Sequence, residues 1–529
     1  IFAVVGLVNA FNMIDGINGL CAGFALIALG ALQTGSGFDV ANYSLVIAMG
    51  SIIGFLFYNL GFLGTKRRVF LGDNGSTFLG FLRYFLAIFL IRADTFADPS
   101  LPGGETSNQV ENKNSFSLSS RNLEEHMRIN FLVGNALFER MWEDSSISKN
   151  IAKDGLGPFF SARSCESCHI NDGRGHIPLT NKEDKISVVI QISQNIEQPN
   201  DYIKNIEDDT YGGQISEFAV KDVLKEADII IDYKYSLEMY EDGRVVELRR
   251  PIIKIDNLNY GDFNESTTFS ARIAQPMIGL GLIEHISDQS LLMNEDINDT
   301  NNDGVSGKAN KVWDIENEKL AIGRFGWKAA QPSVYQQTAD AFYHDMGLSN
   351  KLYSNPFNCT SKQVECTKAI SGNSEEYNDL EVSNDQLDLV TFYSSQLGVP
   401  ARRSINAENV KKGKEIFFAL NCNSCHVESF TTGDSGSHAN LNNQIIYPYS
   451  DFLLHDMGES LSDGVSEFFA QGSEWRTPPL WGIGLTNIVS EEYGYLHDGR
   501  ARTIEEAILW HGGEANEIIQ NYKKLKKEL

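Results

Sequence analysis

The chain is poor in cysteine and short of basic residues. Its 529 residues include only seven cysteines, and 44 Lys and Arg face 70 Asp and Glu, which gives a formal net charge of −26. Because nucleic acid binds to a basic protein face, this balance excludes a nucleic-acid partner. The length predicts two or three domains, with ample chain to bury several cores.

Charged residues of either sign are scarce in residues 1–93, which contain apolar runs at 20–32, 44–63 and 78–91. The middle run has the length of a bilayer span. We expect these runs to form transmembrane helices that contact membrane lipid. The basic loop Lys66–Arg68 indicates a cytoplasmic position between the second and third runs. The chain after about residue 93 is therefore expected outside the cytoplasm.

Four of the seven cysteines lie in two C-x-x-C-H motifs, Cys165–His169 and Cys422–His426. Two thiols at this spacing can bond to the vinyl groups of one porphyrin, and the adjoining His can ligate the iron. A single C-x-x-C could also be a zinc knuckle or a redox dithiol. Two complete copies in a cysteine-poor chain predict two covalently bound haem c groups, with these residues as attachment sites: Cys165, Cys168, His169, Cys422, Cys425 and His426.

The remaining cysteines have simpler interpretations. Cys359 and Cys366 lie close together in a polar loop and are expected to form a small disulfide, in agreement with an oxidising compartment. The alternative is two unrelated surface thiols. Cys21 lies in an apolar run and is expected to be a small buried hydrophobe.

Hydrophobic periodicity and turn signals predict a mainly α chain: two cytochrome c-type haem domains with a β-rich insertion, preceded by transmembrane helices. Helices are predicted at 126–143, at 406–420 with Asn406 as a possible N-cap, and at 503–511. Strands are predicted at 186–192, 229–235 and 244–255. The predicted domains are 1–81 (transmembrane fragment), 82–97 (signal-like segment), 98–125 (linker), 126–400 (first haem domain with the insertion) and 401–529 (second haem domain).

Two polar motifs interrupt the apolar N-terminal portion, Asn9–Leu20 and Val69–Thr77. In these motifs the chain resembles the polyprenyl-phosphate N-acetylhexosamine-1-phosphate transferases. The resemblance implies that Asn12, Asp15 and Asp73 are remnants of a phosphotransfer site, which would use Mg²⁺ only if it were functional. The paired-Asp motif and the His-rich loop of that family are absent, so we expect this portion to be catalytically inactive.

Residues 82–97 are typical of a secretory signal peptide, with a basic residue, a short apolar core and a possible cleavage site near Ala97. An internal signal sequence predicts a fusion of a truncated transferase to a secreted cytochrome. We therefore expect the haem domains in the bacterial periplasm, either anchored to the inner membrane or released by cleavage.

Besides the two C-x-x-C-H motifs, the second part of the chain carries further motifs: Gly155–Phe160 before the first C-x-x-C-H, Ile278–Leu282, Arg324–Lys328, Trp475–Gly482, and Leu496–Ala501 followed by His511–Gly513. In these motifs residues 126–529 resemble the di-haem oxidoreductase family, a peroxidase group related to bacterial di-haem cytochrome c peroxidases and to the MauG type. The resemblance implies a peroxidase-like oxidoreductase that exchanges electrons with a small periplasmic donor or acceptor. Two other functions stay open: a non-enzymatic electron carrier with both irons six-coordinate, and a sugar-1-phosphate transferase.

For the second haem, the resemblance places the sixth iron ligand on the helix after the His-Asp-Gly turn, at His511. Two imidazoles, from His426 and His511, would give a low-spin iron of lower potential than a His/Met pair. Met457 is the reserve ligand. The alternative is that His511 is an ordinary helix-face residue.

For the first haem, His169 is the expected proximal ligand, and a peroxidatic site needs an open or labile sixth position. It also needs an acid/base group that moves a proton between the peroxide oxygens. His176, His344 and Met346 are the candidates in this domain, although each also has a structural interpretation. Trp327 stands where relatives carry an electron-relaying tryptophan; the alternative is an ordinary core Trp.

An Asp/Asn-rich segment, Asp299-x-Asn301-x-Asp303-Gly304, resembles the first half of a calcium-binding loop. The twelfth position is Asn310 instead of the bidentate Glu of an EF-hand. Di-haem peroxidases often hold Ca²⁺ near the haems, so the family resemblance implies a possible calcium site at Asp299, Asn301 and Asp303. The alternative is a polar turn.

Overall fold

The computed structural model describes residues 98–180, 185–194, 202–434 and 438–525. The chain divides into two units, residues 1–98 and 99–529. The predictions for the N-terminal portion fall on residues 1–97 and so lie outside the described residues; they concern the apolar runs, the signal-like segment and the motif residues Asn12, Asp15 and Asp73.

Ten α-helices are found in the described ranges, and none exceeds 13 residues. They are α1 Arg128–Phe138, α2 Leu280–Glu284, α3 Asp288–Leu292, α4 Val334–Met346, α5 Val364–Thr367, α6 Asn384–Gln396, α7 Glu408–Ala419, α8 Thr486–Val489, α9 Ile504–Leu509 and α10 Asn516–Tyr522.

The strands of the described ranges form small separate sheets. They are β1 Phe159–Phe160, β2 Val188–Gln194, β3 Gln214–Ile215, β4 Phe218–Ala219, β5 Asp228–Met239, β6 Val245–Asp256, β7 Thr267–Ile273, β8 Lys311–Asp314, β9 Lys319–Ile322, β10 Phe430–Thr431, β11 Ile445–Ile446, β12 Leu454–Asp456 and β13 Glu474–Arg476.

The prediction of a mainly α chain is wrong: the described residues are 25% helical and 19% strand. In the part of the chain that the structure describes no helix is both long and apolar enough to cross a membrane, and the transmembrane helices predicted within residues 1–91 lie outside the described residues. Helix α4 ends at Gly347, whose left-handed backbone a right-handed helix cannot continue. Turns and irregular segments fill most of the remaining length.

Individual elements agree better with the sequence. The predicted helices at 126–143, 406–420 and 503–511 are confirmed as the shorter helices α1, α7 and α9. Asn406 is not the N-cap of α7, because Ala407 holds that position without any side-chain cap. The predicted Cys359–Cys366 disulfide is confirmed, with the two Cα atoms 6.1 Å apart.

The predicted strands are confirmed as a three-stranded antiparallel sheet, in the order β3-β2-β7, and a long β5–β6 hairpin. Alternate side chains of β2 point into the core, because successive residues of a strand face opposite sides. Val188, Ile190 and Ile192 are thereby buried in one cluster with Trp327 and Trp475. This sheet positions β7, whose last residue leads directly to the site described below.

Helices α1, α4 and α6 pack around a second core, which includes Phe131, Phe342 and Tyr393. Gly134 of α1 lies against the backbone of α6: a Cβ added there would lie 2.3 Å from the Leu389 carbonyl oxygen. The absence of a side chain at Gly134 therefore allows the close approach of these two helices. The first C-x-x-C-H follows α1 in the chain and packs against this helical core through Cys165.

Candidate functional site

The first C-x-x-C-H forms a tight turn that places its three functional side chains together. The amides of Cys168 and His169 both donate to the Cys165 carbonyl, at 3.1 Å and 3.0 Å. His169 Nδ1 lies 2.8 Å from the Gln275 carbonyl oxygen. A carbonyl can only accept, so Nδ1 carries the proton and Nε2 keeps a free lone pair for a metal. Burial lowers the pKa of His169 to about 4, which keeps the imidazole neutral.

This turn opens onto a cavity of about 620 Å³. A large, partly apolar cavity with a few convergent polar groups is typical of a cofactor site. Both thiols and the free side of one imidazole lie on its wall, which fits a porphyrin attached through two thioether bonds. We call this region the first attachment site. Its lining includes Phe138, Cys165, Cys168, His169, Gln214, Gln275, Met277, Phe325, Trp327, Gln331, Asp340, His344, Asp345, Met346 and Tyr353.

The state of the thiols discriminates between the possible uses of C-x-x-C. All four motif cysteines are free of disulfides. Burial raises the pKa of Cys165 to about 12 and also raises the pKa of Cys168. A zinc knuckle needs four ligands, and in the described ranges no group of three or more His, Cys, Asp or Glu side chains is arranged to hold a metal ion. Together with the adjoining cavity, this favours covalent attachment of a haem over a zinc knuckle.

Opposite charges are paired on another wall of this cavity. His344 Nδ1 lies 3.3 Å from Asp340 Oδ1, and Asp340 also accepts from the Tyr353 hydroxyl at 3.0 Å and from Lys204 Nζ at 3.4 Å. Burial alone would lower the pKa of His344, but the Asp340 charge raises it overall. Burial raises the pKa of the neighbouring Asp345 to about 6. His344 and Asp345, which can each carry a proton, therefore line the same cavity as Cys165 and Cys168.

The other three candidates for the first site have different positions. His176 is not among the cavity residues; its Nε2 lies 3.1 Å from Glu492 Oε2. Met346 and Trp327 do line the cavity, and Trp327 Nε1 donates to the Ile273 carbonyl at 2.9 Å. The sequence did not point to Asp340, Tyr353 or Lys204, and Lys204 meets Asp340 from 136 residues away.

The second C-x-x-C-H repeats the geometry of the first. The His426 amide donates to the Cys422 carbonyl at 3.0 Å, and His426 Nδ1 donates to the Tyr449 carbonyl at 2.9 Å. Burial lowers the pKa of His426 to about 4, and His511 is close enough to lower it further. We call Cys422, Cys425 and His426, together with the facing His511, the second attachment site.

His511 has the features of a sixth ligand. It follows α9, its Nδ1 donates to the Ala507 carbonyl at 2.8 Å, and burial lowers its pKa. Its Nε2 is thus also left with a free lone pair. Met457 is half-buried against the core that contains Trp475. His511 also lies close enough to His426 to lower its pKa; the sixth ligand, His511 or Met457, stays a prediction.

A buried histidine beside this second site was not predicted. His455 lies between two carboxylates, with Nε2 2.8 Å from Asp451 Oδ2 and Nδ1 2.8 Å from Glu514 Oε2. Its Nδ1 is also 3.5 Å from Cys425 Sγ. The signal was present in the sequence: Asp340 and His344 have the same spacing as Asp451 and His455, and Asp-Met-Gly follows both histidines.

The candidate calcium residues bind backbone instead of one another. Asp299 Oδ1 and Asn301 Oδ1 both accept from the Asp303 amide at 2.9 Å, and Asp303 Oδ1 accepts from the Val305 amide at 3.0 Å. Among the residues with described positions, no group of three or more His, Cys, Asp or Glu side chains is arranged to hold a metal ion. The calcium site stays a prediction from the sequence.

Residues 1–91 are similar to the family described as "Glycosyl transferase family 4". Undecaprenyl-phosphate alpha-N-acetylglucosaminyl 1-phosphate transferases are similar over this portion. The Yersinia pestis protein is 38% identical over 93 residues, which cover 17% of this chain and 25% of the relative. The Escherichia coli K12 protein is 41% identical over 85 residues, which cover 15% of this chain and 23% of the relative. The chain thus spans about a quarter of the length of these relatives. No solved structure is significantly similar to the chain.

Residues 96–528, most of the chain, match the family described as "Di-haem oxidoreductase, putative peroxidase". Both motif turns, both Nδ1–carbonyl contacts and the cavity lie within this range. The family implies two haems, and the residues present fit one haem at each attachment site. The chain belongs to the di-haem oxidoreductase family.

Proposed function

We propose that this protein is a c-type di-haem oxidoreductase that reduces a peroxide at the first attachment site with electrons delivered through the second. The observation that carries the proposal is the shared cavity: Cys165, Cys168 and His169 line the same space as His344 and Asp345. The second site has His511 close to His426, an arrangement suited to electron transfer by a six-coordinate iron.

The haem supplies one-electron redox chemistry and, where the iron has an open position, a site at which peroxide oxygens bind. Reduction of hydrogen peroxide to two waters consumes two electrons and two protons. His344 and Asp345 line the cavity, and each can hold a proton. Asp340 orients the His344 ring through its contact with Nδ1, so that Nε2 is the atom able to exchange a proton with a ligand in the cavity.

A small periplasmic redox protein is the donor that we propose. Covalent haem attachment and the Cys359–Cys366 disulfide both agree with an oxidising compartment. The acidic surface of the chain, with a net charge of −26, would attract a basic donor at low ionic strength.

The test is an absorption and EPR spectrum of the full chain, produced with haem maturation and repeated with added hydrogen peroxide. We expect two covalent haems, one with a high-spin ferric signal that changes when peroxide is added. Two low-spin haems that do not respond to peroxide in any redox state would contradict the peroxidase proposal.

A non-enzymatic electron carrier is the second candidate, and the position of Met346 favours it. Met346 is buried and lines the first cavity, so its thioether is a possible sixth ligand there. Substitution of Met346 by Leu distinguishes the two candidates. If Met346 ligates the iron, the variant gains a high-spin signal that the parent protein lacks; if the site is already open, the signal is present in both.

A further inference from the structure

Two arginines are buried next to the first attachment site without a carboxylate partner. Arg174 is 6% exposed and Arg476 is 3% exposed. Neither makes an ion pair with a carboxylate anywhere in the described ranges. A buried charge is costly unless it is paired. Both guanidinium groups therefore face an electrostatic deficit that a buried, ion-paired arginine such as Arg272 does not have.

Hydrogen bonding leaves a deficit at Arg174 and at Gln275: Nε of Arg174 and Nε2 of Gln275 are buried and have no hydrogen-bond partner. Arg476 donates through all three guanidinium nitrogens, but only to neutral acceptors. These are the carbonyls of Gly326 at 2.9 Å and Thr477 at 3.3 Å, and Gln275 Oε1 at 2.8 Å. Burial lowers the pKa of both arginines to about 10, and the more distant Asp451 only partly opposes this for Arg476.

The two arginines and Gln275 line a small cavity of about 20 Å³. A space of this size accepts only a small group. It shares a wall with the large cavity, since Gln275, Pro276, Phe325 and Trp327 line both. Gln275 also connects the two spaces chemically, because its carbonyl holds His169 and its side chain contacts Arg476.

We propose that Arg174, Arg476 and the Gln275 amide bind a propionate carboxylate of the haem held at Cys165, Cys168 and His169. A carboxylate is the group that two guanidinium groups and an amide N–H recognise, and arginine can hold it through paired N–H donors. The carboxylate ends of a porphyrin are small and flexible enough to enter from the shared wall. This inference rests on the proposed function, since it requires a haem at the first attachment site.

The alternative source of negative charge is a free anion such as chloride. The two sources differ in their response to salt: a tethered propionate does not exchange with solution, whereas chloride does. They also differ in what the loss of an arginine perturbs: the vibrations of the haem propionate if a propionate is bound, or only the binding of chloride if chloride is bound.

The experiment uses full-length holoprotein with Arg174→Gln and Arg476→Gln as single variants. Covalent haem is counted by the pyridine haemochrome spectrum, midpoint potentials are measured by spectroelectrochemistry, and the propionate bending band is measured by resonance Raman spectroscopy. We expect both variants to keep the haem content, to lower the potential of the first haem more than that of the second, and to shift the propionate band. The potential falls because an unpaired carboxylate stabilises the more positive ferric iron.

Arg249→Gln is the matched control. Arg249 is also buried, at 5% exposed, and its guanidinium likewise donates to backbone carbonyls, those of Arg500 and Gly499, but it lines neither the large nor the small cavity. This variant is expected to leave the propionate band and the potential of the first haem unchanged. If the Gln variants do not accumulate as holoprotein, Arg174→Lys and Arg476→Lys keep the charge but lose the paired donors, and they too should shift the band.

An unshifted propionate band in every Arg174 and Arg476 variant would contradict the inference, and so would a parent-protein potential that depends on chloride at constant ionic strength. Failure of the proposed function is distinguishable, because it would appear as a chain without covalent haem or with a peroxide-insensitive spectrum. Two covalent haems with an unshifted propionate band would contradict only the propionate role of the arginines and not the proposed function.

Discussion

The two attachment sites share their attachment chemistry and differ in what surrounds it. In each, the His Nδ1 donates to a backbone carbonyl, at 2.8 Å and 2.9 Å, and a phenylalanine ring lies 6.1 Å from the imidazole. The first site faces a cavity of about 620 Å³, whereas at the second a further imidazole, His511, lies close to His426. The same C-x-x-C-H turn can therefore serve either a reactive iron or an electron-transfer iron, depending on whether the site adjoins a cavity or a second histidine.

The repeated Asp-x-x-x-His-Asp-Met-Gly segment extends the comparison. In the first copy Asp340 and His344 lie one turn apart on α4, whereas in the second Asp451 and His455 precede and enter β12. Both copies keep the Asp–His contact, at 3.3 Å and 2.8 Å. A paired histidine beside each attachment site is therefore retained through a change of secondary structure, which indicates that the contact itself matters to these sites.

The largest expected effect comes from removing one attachment at a time. Cys165→Ala with Cys168→Ala, and Cys422→Ala with Cys425→Ala, should each reduce the covalent haem content of the di-haem protein from two to one. Only the first pair should abolish the high-spin EPR signal and its response to peroxide, since only that site faces the cavity. The pyridine haemochrome and EPR spectra of both variants measure this. A high-spin signal that is lost with the second pair instead would reverse the assignment of the two sites.

A smaller effect is expected from the sixth ligand of the second site. His511→Met should raise the midpoint potential of the second haem, because a thioether favours the reduced iron more than an imidazole does. The first haem should keep its potential and its spin state. Spectroelectrochemistry with EPR checks both haems at once. Met457→Leu is the control, and a potential that responds to this change instead would make Met457 the ligand.

The two haems that the family implies could be predicted from the sequence, because each C-x-x-C-H motif is local and its residues lie on one turn. The overall fold was predicted poorly, because hydrophobic periodicity overestimated the helix lengths: the helix predicted at 126–143 spans only Arg128–Phe138. The contacts that form the cavity wall could not be predicted from the sequence. Lys204 contacts Asp340, and Arg476 contacts Gln275, only in the folded chain.

The buried Asp–His pair of the second site should contribute more stability than that of the first. Asp451 and His455 are both 2% exposed, whereas the side chains of Asp340 and His344 are 12% and 27% exposed. Breaking a fully buried pair costs about 3–5 kcal/mol, and partial exposure reduces the cost. His455→Gln, which leaves Asp451 and Glu514 without their buried partner, should therefore lower the free energy of unfolding more than His344→Gln, which leaves Asp340 its contact with Lys204. Denaturant titration of the holoproteins measures this.

The sign of the pH dependence follows from the direction of the pKa shift. Burial alone would lower the pKa of His455, but the Asp451 charge raises it well above the ordinary value. The stabilisation is then fully present below the unfolded pKa of about 6.5 and decreases as pH rises through the folded pKa. The difference in unfolding free energy between the parent protein and His455→Gln should shrink as pH rises above neutrality. A difference that does not change with pH would mean that His455 is neutral in the folded protein.

The smallest stability effect, and the sharpest functional one, is expected at Trp327. Its Nε1 donates to the Ile273 carbonyl, and that of Trp475, equally buried in the same cluster, donates to the Leu461 carbonyl. Phe at either position leaves one buried carbonyl without its donor and should cost about 1–3 kcal/mol of unfolding free energy. Only Trp327 lines the first cavity, so only Trp327→Phe should slow electron transfer from the second haem to the first in stopped-flow reduction. Equal electron-transfer rates in the two variants would mean that Trp327 contributes only to packing.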